Sequence, residues 1–237
     1  MKIELSLTPV LYPFRTILGQ HTTVAIDVLR ATTAVCAAFQ AGCQYVVPVA
    51  SLEELPKYRS LGYTLAAERN GQKVADADYG NSPTEYLKHN LEGTRLVYST
   101  TNGTVTMLSA ADAKHLYCGA FANLSALVDR LIADNDDVVL LCSGWKNDYC
   151  IEDTLLAGAI VERMTERTSV ECVGDAAATA RMLWDMAKSD LSGFCGTASH
   201  VHRLQKFGAY EDIDFAFRID TCPVVPELRD NRLSLVH

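Results

Sequence analysis

The chain of 237 residues has no apolar run approaching the roughly 18–20 residues needed to cross a bilayer. Its opening stretch, Met1 to Pro9, is interrupted by Glu4 and forms no signal-like apolar segment. A soluble, cytoplasmic protein that does not engage membranes is expected. No block of Lys or Arg offsets the net charge of −8 and the pI near 5.2, so binding to nucleic acid is disfavoured. An anionic ligand would need locally placed Arg or Lys, or a divalent cation. Although there are eight cysteines, no C-x-x-C occurs. Cys36, Cys118, Cys142 and Cys172 sit within apolar patterns, where free thiols acting as small hydrophobes are the better account. No H-E-x-x-H is present, and His21, His89, His115, His200, His202 and His237 are scattered as ordinary surface or core histidines would be. The Walker and Rossmann glycine patterns are missing, which disfavours nucleotides. Ser143 precedes a single Gly, so the G-x-S-x-G elbow of serine hydrolases is missing too.

What is present is regular alternation. Apolar residues make up 49% of the chain, ample for a core. Strand-like runs fall near Lys2–Leu7, Thr23–Val28, Tyr45–Val49, Thr64–Ala67, Arg95–Ser99, His115–Cys118, Val138–Cys142 and Val170–Val173. Helical patterns lie between them, at Thr32–Ala41, Leu52–Leu61, Pro83–Asn90, Thr104–Ala113, Ala122–Ile132, Glu152–Thr165 and Ala176–Lys188. Near-continuous apolar strands alternating with helices predict an α/β fold: a mostly parallel sheet with helices on both faces, a three-layer αβα sandwich. With no repeat or long linker, residues 1–237 read as a single domain. Within it, 189–237 is expected to be a C-terminal extension packing on the same domain.

Sites in such sheets lie beyond the carboxyl ends of the strands, so the residues that end each apolar run are the ones to inspect. The run from Thr22 to Val28 carries Asp27 near its end, with Arg30 in the following turn and Thr32 and Thr33 in the first helical turn. Unpaired N–H groups at that turn would attract an anion. Glu68 and Arg69 end a second run, although Glu-Arg-Asn-Gly also reads as an exposed turn. Asn81 or Ser82 caps a helix that starts at Pro83. Thr100, Thr101, Asn102 and Gly103 open another helix and offer hydroxyls, an amide and backbone N–H groups as an oxyanion cradle. Ser143 and Gly144 follow the run Val138 to Leu141, and Glu152 with Asp153 begins the next helix. Acids there compensate the helix dipole and would also complete a site for a hard cation such as Mg²⁺.

Taken together, these segments resemble the 2-phosphosulfolactate phosphatase family. The matching stretches are Ile26-Asp27-Val28-Leu29-Arg30-Ala31-Thr32-Thr33, Glu68-Arg69, Gly80 to Glu85, Thr100 to Thr104, and Glu152-Asp153-Thr154 with Ala157-Gly158. Val225-Pro226 near the end looks familial as well. Two departures stand out. Ala67 takes the place of the glycine that commonly precedes Glu-Arg, and Cys142-Ser143-Gly144-Trp145 replaces a Cys-Ala-Gly turn.

The resemblance implies a Mg²⁺-dependent acid phosphatase of coenzyme M biosynthesis that hydrolyses (R)-2-phospho-3-sulfolactate to sulfolactate and phosphate. On that reading Asp27, Glu68, Glu152 and Asp153 hold the metal and Arg30 neutralises the phosphate. The turn from Thr100 to Gly103 cradles the phosphate oxygens, while Arg69, Asn81 and Ser82 face a sulfonate or carboxylate. Leu29 stands where a haloacid-dehalogenase-like site would carry its second aspartate, which favours attack by water over an aspartyl-phosphate. Two alternatives remain: a phosphatase for another small phosphorylated hydroxy acid, and a non-catalytic small-anion binding protein. The partner in each case is a small anion, and a homodimer is the default expectation for such an enzyme.

Overall fold

The computed structural model describes residues 1–110 and 112–236. Ala111, inside the expected Thr104–Ala113 helix, and His237 lie outside the described residues. Strands and helices alternate as expected through the first three-quarters of the chain. In order, they are β1 (Lys2–Ser6), β2 (Thr22–Ile26), α1 (Ala31–Gln40), β3 (Tyr45–Pro48), α2 (Leu55–Ser60), β4 (Thr64–Arg69) and β5 (Gln72–Lys73). Then come α3 (Pro83–Leu87), β6 (Arg95–Ser99), α4 (Gly103–Ser109), β7 (His115–Gly119), α5 (Leu124–Asp134), β8 (Val138–Cys142), α6 (Ile151–Arg167), β9 (Glu171–Val173) and α7 (Gly174–Ala187). The expected Leu52–Leu61 helix divides into a 3-10 turn at Leu52–Glu54 and α2, since Pro56 at the start of α2 has no N–H to continue the ladder.

All eleven strands join one sheet in the order β5-β4-β6-β3-β11-β10-β7-β2-β8-β1-β9, where β10 and β11 are C-terminal strands described below. The pairs β4–β6, β6–β3, β7–β2, β2–β8, β8–β1 and β1–β9 are parallel. The fold is therefore the mostly parallel, three-layer α/β architecture expected.

Side chains alternate between two cores, as strand geometry requires. Val138, Leu140 and Cys142 of β8 pack with α5, α6 and α7, whereas Val139 and Leu141 pack with α1, α3 and α4 on the opposite face. The helices α6 and α7 approach closely at Gly158, where an added Cβ would lie 2.1 Å from the Ala180 carbonyl oxygen. Among the described residues, no helix is long and apolar enough to cross a membrane.

The C-terminal portion is more than a packed extension. It forms α8 (Leu191–Cys195), α9 (Ser199–Gln205), α10 (Tyr210–Ala216) and a hairpin, β10 (Pro226–Arg229) and β11 (Arg232–Leu235). That hairpin occupies the middle of the sheet. β10 pairs antiparallel with β7 through Glu227 and Tyr117, and β11 pairs antiparallel with β3 through Leu233 and Val46. Among the described residues, two parallel blocks, β4-β6-β3 and β7-β2-β8-β1-β9, are thus joined through the last strands of the chain. Asp230 and Asn231 form the two-residue turn with φ of 51° and 59°, the left-handed pair that a type I′ hairpin needs.

Leu233 is fully buried on this bridge. Leu233→Ala should cost about 3 kcal/mol in urea unfolding, the range for a buried Leu that leaves a cavity. Asn231→Gly, which keeps the turn's backbone preference, should be close to neutral.

Candidate active site

The carboxyl ends of β2, β4 and β8 and the helix start after β8 present four buried carboxylates. Asp27 follows β2, Glu68 lies near the end of β4, and Glu152 and Asp153 begin α6 after β8. Each is built into the loop network by backbone or side-chain partners. Asp27 Oδ1 accepts the Ala31 N–H at 3.1 Å, at the start of α1. Glu68 accepts the Gly71 N–H at 2.7 Å and the Thr101 N–H at 2.6 Å, one on each oxygen, and so ties the β4–β5 turn to the loop after β6. Asp153 accepts the Val28 N–H at 2.9 Å and the Gly144 N–H at 3.1 Å, joining the loops after β2 and β8. Glu152 Oε1 meets His200 Nδ1 at 3.0 Å.

Four acids in one region raise the cost of ionisation. Burial pushes the Asp27 carboxyl up to about 6, opposed by the Ala31 N–H and His200 and reinforced by Glu68 and Glu152. Burial also holds Asp153 well above the usual carboxylate range, with Glu152 and Asp27 adding to it against its two N–H donors.

The expected anion-binding hydroxyls of Thr32 and Thr33 need correction. Both residues are fully buried, and both hydroxyls are spent on the backbone. Thr32 Oγ1 donates to the Asp27 carbonyl at 2.9 Å and accepts the Asp27 N–H at 3.0 Å, while Thr33 Oγ1 donates to the Val28 carbonyl at 2.8 Å. The two hydroxyls stitch the β2–α1 turn together and are not available as donors to a ligand.

Arg30 is likewise committed. Its guanidinium pairs with Asp212 of α10 at 2.6 Å, both side chains buried, and donates to the Gly71 carbonyl at 2.9 Å. Asp212 Oδ1 also accepts from Ser82 Oγ at 2.7 Å and Thr84 Oγ1 at 2.6 Å. Ser82 caps α3 by accepting the Glu85 N–H at 3.1 Å, so the capping reading accounts for it. Asn81 accepts a hydrogen bond from the Tyr98 hydroxyl. Arg69 donates to the carbonyls of Glu68 and Ala50 and to Ser99 Oγ, so it braces the strand ends, and contact with a ligand would require exchanging those bonds.

The loop after β6 divides its residues between two tasks. Thr100 and Thr104 satisfy each other across one turn, with the Thr104 N–H on Thr100 Oγ1 at 3.0 Å. Thr101 and Asn102, by contrast, line a cavity of about 290 Å³ together with Ser143, Lys146, Asn147 and Pro9. Ser143 Oγ is buried there with no hydrogen-bond partner among the described residues, and a buried hydroxyl is rarely left so unless a ligand or ion completes it. Gly103 is fixed by close approach. An added Cβ would lie 2.3 Å from Ala31 Cβ and 2.8 Å from Asp27 Oδ2. Gly144, in the turn after Ser143, serves through its N–H to Asp153.

His200 and Asp212, both brought in by the C-terminal helices, went unassigned in the sequence. His200 reads in the sequence as one of the scattered histidines, since no H-E-x-x-H or comparable pair includes it. Asp212, in Tyr210-Glu211-Asp212, is indistinguishable from an acid in a first helical turn.

Parallel strands whose carboxyl ends present buried acids beside a polar cavity define an α/β enzyme site for a small anion. The comparisons with known proteins make this specific. A family profile described as 2-phosphosulpholactate phosphatase matches residues 7–231, and the chain belongs to that family. A Thermotoga petrophila protein named probable 2-phosphosulfolactate phosphatase is 36% identical over 88% of this chain and 89% of the relative. Proteins of the same name from Prochlorococcus marinus and Caldanaerobacter subterraneus subsp. tengcongensis are 35% and 32% identical. The first alignment covers 89% of this chain and 90% of the relative, the second 90% of each.

A raised folded-state pKa makes the Asp27 contribution to stability complete below its ordinary value of 3.8 and lost as pH rises through about 6. In chelator, wild type should therefore lose stability relative to Asp27→Asn between about pH 4 and pH 7, by on the order of 3 kcal/mol in urea melts. Asn keeps the acceptor for the Ala31 N–H without the charge. Gly103→Ala should be destabilised at every pH by about 2 kcal/mol, since Ala31 and Asp27 must give way.

Proposed function

We infer that this protein is a phosphoric monoester hydrolase that converts 2-phospho-3-sulfolactate to 3-sulfolactate and inorganic phosphate, with Mg²⁺ as its cofactor. The observation that carries the reading is the burial of Asp27, Glu68, Glu152 and Asp153 in the loops at one end of the sheet, with Glu68 accepting the N–H of Thr101, which lines a polar cavity, in a chain of this family. A protein that merely held an anion would gain nothing from four buried acids. Their negative charge would repel the ligand unless a cation lay between.

The donor set fits magnesium in kind. It is made of carboxylate oxygens, the hard ligands that Mg²⁺ takes. Glu68 and Asp153 already accept a backbone N–H on each oxygen, so they would serve with their remaining lone pairs, while Asp27 and Glu152 have one oxygen each outside the hydrogen bonds given above. When bound, the cation supplies charge neutralisation for the phosphoryl group.

The remaining work falls to the chain. Thr101, Asn102 and Ser143 line the cavity where phosphate oxygens would sit, and Ser143 Oγ has a free hydrogen bond to give. Lys146 adds a positive charge at the same cavity. Arg30, held by Asp212, contributes field and loop position rather than a free donor. Hydrolysis adds water across the ester's P–O bond, and the leaving hydroxyl keeps its carbon–oxygen bond.

Phosphate release from 2-phosphosulfolactate and from a panel of phosphorylated hydroxy acids, with Mg²⁺ and with EDTA, tests this. Release should require the metal, favour phosphosulfolactate, and fall at least about a hundredfold in Asp27→Asn. Preference for another acid would refute the substrate and retain the chemistry. Absence of release from every compound would refute the phosphatase reading.

A further inference from the structure

Beside the carboxylates lies a second grouping of a different chemical character. Among the described residues, the one set of three or more His, Cys, Asp or Glu ligand atoms lying mutually within 4.8 Å is Cys150, Glu152 and His200, all buried. Cys150 precedes α6, Glu152 lies in its first turn, and His200 arrives from α9, some 48 residues later in sequence. The Cys150 sulfur is 4.0 Å from His200 Nδ1, and that nitrogen is 3.0 Å from Glu152 Oε1. The Trp145 ring packs against the imidazole with centroids 5.1 Å apart, and the Arg203 guanidinium lies 4.1 Å over the indole.

We propose that Cys150, Glu152 and His200 form a three-ligand site for a zinc-class divalent cation, separate in chemistry from the magnesium site. The spacing suits it. Donors around a tetrahedral zinc, with bonds of about 2.0–2.3 Å, stand roughly 3.3–3.7 Å apart, so small shifts from the observed separations close the set. Sulfur, imidazole and carboxylate together select zinc-class ions over Mg²⁺, which prefers oxygen alone. Binding converts the thiol to thiolate and releases its proton to solvent. Three protein ligands leave one position for water or an anion, as in catalytic rather than structural zinc sites. Glu152 is the residue shared with the carboxylate set, which places the second ion next to the first.

Cobalt reports on this directly, because thiolate ligation gives a charge-transfer band that oxygen ligation does not. Chelator-stripped full-length protein would be given one equivalent of Co²⁺ in excess Mg²⁺ and read by near-ultraviolet and visible absorption. Metal retained after gel filtration would be counted by mass spectrometry. The expected result is the charge-transfer band and one cobalt per chain in wild type and in Cys195→Ser, a control at another buried thiol. Cys150→Ser should lose the band, and His200→Gln should hold zinc at least about tenfold more weakly against a chromophoric chelator. No band in wild type, an undiminished band in Cys150→Ser, or unchanged zinc affinity in His200→Gln would each overturn the site. Should Cys150→Ser fail to fold, by circular dichroism, the His200→Gln competition decides alone. The magnesium-dependent phosphate-release assay run in parallel keeps the two readings apart, since either can fail while the other stands.

Discussion

The structure turns on the burial of negative charge. Asp27, Glu68, Glu152 and Asp153 are all removed from solvent at one end of the sheet, and isolated carboxylates there would cost several kcal/mol each. The fold offsets that cost with backbone N–H groups from residues 28, 31, 71, 101 and 144, and with the imidazole of His200. Each of those donors sits in a loop that follows a strand or opens a helix. The acids therefore fasten the loops as well as supplying charge to the site. What remains uncompensated shows in the Asp27 and Asp153 carboxyls, which burial above all, and then the neighbouring acids, push upward.

A second constraint is the buried ion pair of Arg30 with Asp212. Such a pair gains little net stability over apolar packing, but losing one partner strands the other charge. Here the pair has a geometric result. Asp212 of α10 holds Arg30 in the β2–α1 loop together with Ser82, which caps α3, and Thr84 within it, so three segments distant in sequence meet on one carboxylate. The hydroxyls of Thr32 and Thr33 are spent in the same way, on internal bonds that define the turn bearing Asp27. Polar residues around the site thus divide into a framework that is saturated and a smaller set, Thr101, Asn102, Ser143 and Lys146, that faces the cavity.

The C-terminal hairpin explains how the two parallel blocks become one sheet. Without β10 and β11, β3 and β7 would each present an unpaired edge. The same chain segment that closes the sheet also carries His200 and Asp212 to the site on α9 and α10. Closure of the fold and completion of the site are therefore one event in the chain's topology.

The alternation of apolar strands with helices was sufficient to specify the parallel α/β layers, because strand and helix periodicities are local properties of the chain. The placement of Asp27 and Glu68 was legible for a related reason: an acid ending a buried apolar run must lie at a strand's carboxyl end, whatever the topology, whereas Asp153 is placed by the start of the helical pattern after β8. A cap at Asn81 or Ser82 was legible too, from the place of Pro83, and the structure puts it on Ser82. The central position of the hairpin was not. The stretch 189–237 reads only as an extension packing on the same domain, and no local pattern tells which strands a hairpin there will flank. Only the tertiary structure decided that Thr32, Thr33 and Arg30 face inward to partners, because a hydroxyl or guanidinium looks the same in sequence whether its acceptor is substrate, backbone or a distant aspartate. It alone brought Cys150, Glu152 and His200 together, since ligand atoms meet through the packing of α9 against α6 and not through spacing along the chain.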